Sequence, residues 1–169
     1  SGGVYVGGST LGSVDGPNAG LEDAWLVRYD GSGMGANDCP PSTNALNQFS
    51  VMSASGSTSV AANDLVLTAG PGPPNLPGIF FYGPNALSPI VFGHGYRCVG
   101  GPPGTVVRVF PAVWSDASGM MSTTINNLDP VHGQIVPGAT LHFQGWYHDP
   151  GGCTPNLNLS DRLTLTFVP

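Results

Sequence analysis

The chain has 169 residues, of which 40% are hydrophobic and only 8% charged, and it carries a formal charge of −6 with four arginines as its only basic residues besides histidine. That balance leaves no electrostatic footprint for a nucleic-acid backbone or an anionic lipid surface, and no run reaches the roughly 18 apolar residues of a spanning helix. Gly (26) and Pro (17) are abundant, but Val, Leu, Phe and Trp suffice for a core, so they read as punctuation between many short strands of an all-β protein.

In chain order, 4–9 and 24–29 read as a strand pair joined by a turn-rich connection containing Asp15, Gly16, Pro17 and Asn18. In the second strand Trp25, Val27 and Tyr29 alternate with Ala24, Leu26 and Arg28, which gathers the bulk on one face that needs a cover. With Val4, Tyr5 and Val6 of the first strand, these residues form a candidate assembly element. The segment 30–38, DGSGMGAND, has the composition of a flexible linker. A first unit of 1–33, a linker of 34–38 and a second unit of 39–169 follow.

In the second unit strands are expected at 49–54, 64–69, 79–82, 90–92, 106–110, 120–128, 139–148 and 162–168. Eight strands at this spacing predict an antiparallel β-sandwich. The last alternates clearly, Leu163, Leu165 and Phe167 against Thr164, Thr166 and Val168. In 120–128, Met120, Met121, Ile125 and Leu128 also fit a helical turn or two. Ser1 is not followed by a basic and then apolar leader, so the chain reads as a mature or trimmed product. Cys39, Cys98 and Cys153 lack the paired spacing of a zinc site. One disulfide and one odd thiol is the simplest reading, three pairings are possible, and an oxidising extracellular setting is favoured.

Two stretches carry resemblances. Residues 3–33, GVYVGGSTLGSVDGPNAGLEDAWLVRYDGSG, resemble one repeat of a bacterial β-propeller, but the chain holds no second copy. A blade-sized unit does not bury its own apolar face, so something else must complete it. From 39 to 169 the runs GIFFYGPN, FGHGYRCVGG, PGATLHFQGWYHDP and NLNLSDRLTLTF resemble a C-terminal module of large secreted bacterial proteins. The resemblance implies a non-catalytic terminal module. Cys39 and Cys98 stand in the family-like segments CPPSTN and RCVGG, which implies a disulfide between them. Cys153 has no counterpart and is left as the odd thiol. Gly145 stands where the family carries an aromatic, so bulk is missing beside Trp146 and a neighbour is expected to supply it. His148 replaces an Arg, removing a salt bridge to Asp149 or Asp161.

No nucleophile elbow, metalloprotease helix, P-loop or dinucleotide fingerprint is present, so an enzyme is not expected. Of the histidines, His94, His132, His142 and His148, only His142 and His148 share a strand face, and no metal or other cofactor is expected. Trp146, flanked by His142, Gln144, His148 and Asp149, offers a palette for stacking on and hydrogen-bonding a sugar, against the plainer reading of a Trp anchored between sheets. Asp30, Ser32, Asn37 and Asp38 fail the calcium-loop spacing. Asn158, Leu159 and Ser160 form a glycosylation sequon.

These features predict a secreted, non-catalytic structural protein that self-associates into a fibre or surface assembly by strand addition, with no nucleic-acid partner and no membrane insertion. The alternative is a monomeric accessory module binding polysaccharide or a cell surface through the His142, Gln144, Trp146 and His148 face.

Overall fold

The structure, a computed structural model, describes residues 34–151 and 155–169 in full and residues 4–10 and 23–29 as backbone. Two compact units are present, Ser1–Gly33 and Met34–Pro169. In the first, β1 (Val4–Thr10) pairs antiparallel with β2 (Asp23–Tyr29). Val4 lies opposite Tyr29, Val6 opposite Val27, and Gly8 opposite Trp25. Directly opposed positions share a face, so the sequence positions of Val4, Val6, Trp25, Val27 and Tyr29 fall on one side of the ribbon and that of Tyr5 on the other. A two-stranded ribbon is marginally stable by itself in water.

The second unit is an antiparallel β-sandwich. Its strands are β3 (Ala36–Asn37), β4 (Val51–Ser55), β5 (Val66–Gly70), β6 (Pro77–Gly83), β7 (Asn85–Phe92), β8 (Gly95–Gly100), β9 (Val107–Trp114), β10 (Met121–Thr124), β11 (Thr140–His148) and β12 (Leu157–Thr166). They form a five-stranded sheet in the order β3-β12-β11-β6-β9, a three-stranded sheet β10-β5-β4, and the hairpin β7-β8. Alternation along β6 and β11 sends Phe80, Tyr82, Phe143 and Tyr147 inward, where with Leu163, Leu165 and Phe167 they meet Met52, Leu67, Met121 and Ile125. Fully burying each of these large apolar side chains stabilises the fold by about 1.5–3 kcal/mol. The opposite face of the large sheet carries Phe81 and Leu159, which pack against Val99 of β8 in a second, smaller cluster with Trp146 and Leu157. The large sheet is therefore covered on both faces.

Three expectations are corrected. Residues 34–38, read as linker, belong to the sandwich: Met34 packs on the core, Ala36 and Asn37 pair with Thr164 and Leu163, and Asp38 meets Arg162. The region 120–128 is a strand only over Met121–Thr124. Beyond it, Asn127 donates its backbone N–H to the side chain of Asn63 (2.6 Å), whose left-handed backbone (φ 49) makes the turn before β5. Finally, β8 is a strand that the sequence pattern does not predict, and β12 begins five residues before the expected 162.

The disulfide between Cys39 and Cys98 is present, with Cα atoms 6.3 Å apart. Cys153 lies outside the described residues. The bulk missing at Gly145 is supplied from within the chain. A Cβ there would stand 3.0 Å from that of Ala69 and 3.6 Å from the Met121 methyl, because β5 and β10 of the facing sheet close onto this point. Opposite it, β12 carries a bulge between the partners of Gln144 and Trp146. The Ser160 hydroxyl fills the bulge, accepting from the Gly145 N–H (2.9 Å) and donating to the Asp161 carbonyl (2.8 Å).

Candidate functional site

The β7-β8 hairpin is attached to the large sheet by three buried devices. The first is Gln144, 0% exposed. Its Oε1 accepts from the Cys98 N–H (3.0 Å), and its Nε2 donates to the carbonyls of Tyr96 (2.6 Å) and Ser160 (2.8 Å). Each bond goes to backbone, so the amide substitutes for ladder bonds that β8 does not make with β11. The second is Arg162, whose Nη1 donates to the carbonyls of Leu87 and Cys98 (both 2.9 Å) while Nε donates to Asp38 (2.7 Å). This ion pair holds the Asp38 carboxyl below its ordinary range. The third is the disulfide, which ties Cys39, next to Asp38, to β8.

Held in this way, the hairpin packs on the sheet face through Val99, and a cleft of about 430 Å³ lies between the hairpin and the sheet. Ile79 and Phe81 of β6, Trp146 of β11 and Leu159 of β12 contribute apolar surface to it, as do Val106 and Phe92 at its margins. Arg97 of β8 and Arg108 of β9 also line it. In register, Arg108 lies opposite Phe81, which puts it on the same sheet face as the apolar lining. Neither arginine has a carboxylate partner among the described residues, whereas Arg162 is paired. Two of the three arginines whose side chains are described thus border one apolar cleft, in a chain of net charge −6.

Beside the cleft runs the free edge of the large sheet. On one side β9 pairs with β6, and among the described residues no strand follows it in the sheet order. Phe110 and Trp114 on this strand are 70% and 67% exposed, and in the hairpin Val91 is 74% exposed. Arg108 is the only charged residue of β9, and Pro111 interrupts its row of N–H donors.

The residues His142, Gln144, Trp146 and His148, expected as a sugar-binding face, do share one face of β11 but differ in burial. Gln144 is corrected from ligand contact to internal clamp, because the bulge and the overhanging hairpin enclose it. Asp149 is likewise buried, accepting from the Ala45 N–H (3.0 Å) and from the Asn158 side chain (3.1 Å). His142 is half-buried and bonds the Thr164 hydroxyl through Nδ1 (2.8 Å). His148 is half-buried at the end of β11. Of this palette, only Trp146 lines the cleft. The sequon asparagine, Asn158, is buried and donates to the Thr43 carbonyl (3.0 Å).

His132 is buried against Tyr82, Nδ1 to hydroxyl 3.0 Å, and burial pushes the phenol up to about 12. His94 lies at a shallow depression with Phe49 and Tyr96. Among the described residues no three His, Cys, Asp or Glu side chains are grouped as metal ligands. Asp161, in place of a salt bridge, accepts from the Met52 N–H (2.6 Å) and from Asn37 Nδ2 (2.7 Å). The strand positions of Val4, Tyr5, Val6, Trp25, Val27 and Tyr29 lie in the separate N-terminal ribbon. Arg97, Arg108, Phe81 and Val106 were not singled out in the sequence. Their signal is the unusual sparing of arginine in a lysine-free chain, which makes each one that is not paired worth locating. Comparison with known proteins finds no matching family model, no matching curated protein and no matching solved structure.

Proposed function

We propose that the protein is a secreted, non-catalytic structural subunit that self-associates by strand addition, the edge strand β9 of one copy accepting the N-terminal ribbon of another. The observation that carries this reading is the edge itself: eight residues long, unpaired on one side among the described residues, with Phe110 and Trp114 turned largely to solvent and a single charge. Edges of soluble proteins are ordinarily shortened, covered or charged against such pairing. Here Pro111 is a partial defence, dividing the edge into two shorter docking segments. The ribbon is a fitting donor because its face carries the register positions of Val4, Val6, Trp25, Val27 and Tyr29, and a two-stranded ribbon gains most from a third strand. Main-chain bonds would supply affinity and the alternate side chains the register. A donor and an acceptor at different places on one chain make a heterologous contact, which repeats into an open polymer when its rotation does not close.

The buried Cys39–Cys98 disulfide fits an oxidising compartment, and no helix among the described residues is long and apolar enough to cross a membrane. The polysaccharide-binding alternative has lost support, since Gln144 and Asp149 of its palette are internal. Negative-stain microscopy and light scattering of the purified full chain test the proposal. Filaments or concentration-dependent oligomers are expected. The double substitution Phe110→Glu with Trp114→Glu should abolish them without lowering the melting temperature, as both side chains are exposed. Deletion of Ser1–Gly33 should leave a folded, non-polymerising sandwich. A full chain that stays monomeric at millimolar concentration refutes the reading.

A further inference from the structure

The cleft under the β7-β8 hairpin has a chemical character that edge pairing does not use. Its lining contains no Ser, Thr, Asn, Gln, Asp or Glu. It therefore offers few of the donors and acceptors that orient a sugar, and none of the hydroxyl or amide groups that would satisfy the extra oxygens of a phosphate. What it offers is apolar and aromatic surface from Ile79, Phe81, Trp146 and Leu159, together with two guanidinium groups. The volume of about 430 Å³ falls within the roughly 300–1,000 Å³ of small-molecule sites, which are typically apolar with a few placed polar groups.

The two arginines come from different layers. Arg97 stands on β8 opposite Ile90, and Arg108 on β9 opposite Phe81. Guanidinium groups match carboxylates in planar, two-point fashion. Their placement has a consequence for charge: elsewhere in the described unit the one remaining arginine, Arg162, is consumed by Asp38, so this cleft gathers what cationic character the acidic sandwich has left. A ligand complementary to it has an apolar body that replaces water over Trp146 and Phe81, and one negative head group held at the arginine margin.

We propose that this cleft binds a small amphiphilic carboxylate, a compound with a single carboxylate on a straight-chain or aromatic hydrocarbon body. Binding is noncovalent and requires no assembly: the cleft lies on the sheet face, and strand addition uses the backbone edge of β9. The inference accordingly stands or falls independently of self-association.

The test is calorimetric titration of the full-length chain with three probes below their micellar concentrations: decanoate, acetate and decyltrimethylammonium. One decanoate per chain is expected, with acetate and the cationic amphiphile at least tenfold weaker. Arg97→Glu combined with Arg108→Glu should weaken decanoate at least tenfold with the melting temperature unchanged, as both side chains are exposed, and should improve the cationic amphiphile. A second variant, Val106→Asp, adds a carboxylate to the cleft lining with both arginines intact and should also weaken decanoate. Raising the salt should weaken decanoate binding, as expected for an exposed charge contact. Absence of decanoate binding, equal affinity for the two amphiphiles, or a decanoate affinity indifferent to both variants would overturn the proposal.

Discussion

Replacing Gln144 by Leu isolates the contribution of one buried amide to the placement of a whole hairpin. The two side chains are close in volume, so little space is vacated, but three backbone groups lose their partner at once: the Cys98 N–H and the carbonyls of Tyr96 and Ser160. A net contribution of about 1 kcal/mol per hydrogen bond gives about 3 kcal/mol, and the stranded Cys98 N–H, in a residue 0% exposed, adds weight to the upper end of that figure. With an m-value of about 2 kcal/mol/M in urea, the unfolding midpoint of Gln144→Leu should fall by about 1.5 M. Gln144→Glu should be at least as damaging, because it brings a charge into the same enclosed position and exchanges two donors for acceptors that face carbonyls. The assay is urea denaturation of the disulfide-intact protein followed by tryptophan fluorescence. A midpoint shift under about 0.5 M for Gln144→Leu would refute the clamp, and with it the assignment of this residue to the interior and not to a ligand face.

Removing the disulfide with Cys39→Ala and Cys98→Ala opens a loop spanning a separation of 59 residues and should cost about 4 kcal/mol in the chain-entropy model. A loss below 1 kcal/mol in the same urea assay would refute the chain-entropy account of this link. Mild acid should also destabilise the sandwich. Burial lowers the His132 pKa against an opposing effect of Asp129, and burial with Arg162 lowers that of His142 against Asp38. Both groups bind protons less readily folded than unfolded, so their contribution is complete above their ordinary pKa of about 6.5 and declines as pH falls below it. The melting temperature should drop between pH 7.5 and 5.5, and a flat or rising profile would contradict this. In more acidic solution, Asp38 and Asp161 act in opposite directions. The first has its carboxyl lowered by Arg162 and loses stabilisation on protonation, while burial raises the second, so protonation relieves it.

Strands with one wet face were legible in the sequence, because a period of two survives where only alternate residues are buried. The run Leu163, Leu165, Phe167 is the clearest case, and it lies at the core as expected. The same rule explains what was hidden. In β12 the residues Asn158 to Arg162 are buried on both faces, polar ones included, so alternation vanishes and the strand start was placed too late. Residues of β8 belong to a short element with glycine at both ends, where turn and strand compositions coincide. The 34–38 segment has a linker's composition but gains its order from distant partners, Arg162 and Asp161, which no local pattern reveals. At the site, a glutamine flanked by histidine and tryptophan suggests a polar surface. Only tertiary structure shows the hairpin that encloses it, and the cleft that Arg97 and Arg108, on different strands, both line.

The arrangement at Asp38 and Cys39 also has a mechanical meaning. Tension entering from the ribbon side reaches β3 first, and β3 lies antiparallel to β12 over two residues only, so these bonds would peel one after another at low force. Peeling stops at Cys39, where the pull passes through sulfur into β8. Everything between Cys39 and Cys98 is then withheld from stretching, which keeps roughly 200 Å of contour length in reserve however far the rest is drawn out. The enclosed portion contains β4, β5, β6 and β7 and supplies Met52, Leu67, Phe80 and Tyr82 to the inter-sheet core, and none of it can be extended by pulling on the chain until a covalent bond is reduced. In a polymer of such subunits, the segment 39–98 would stay closed under strain, and recovery would begin from that tethered loop.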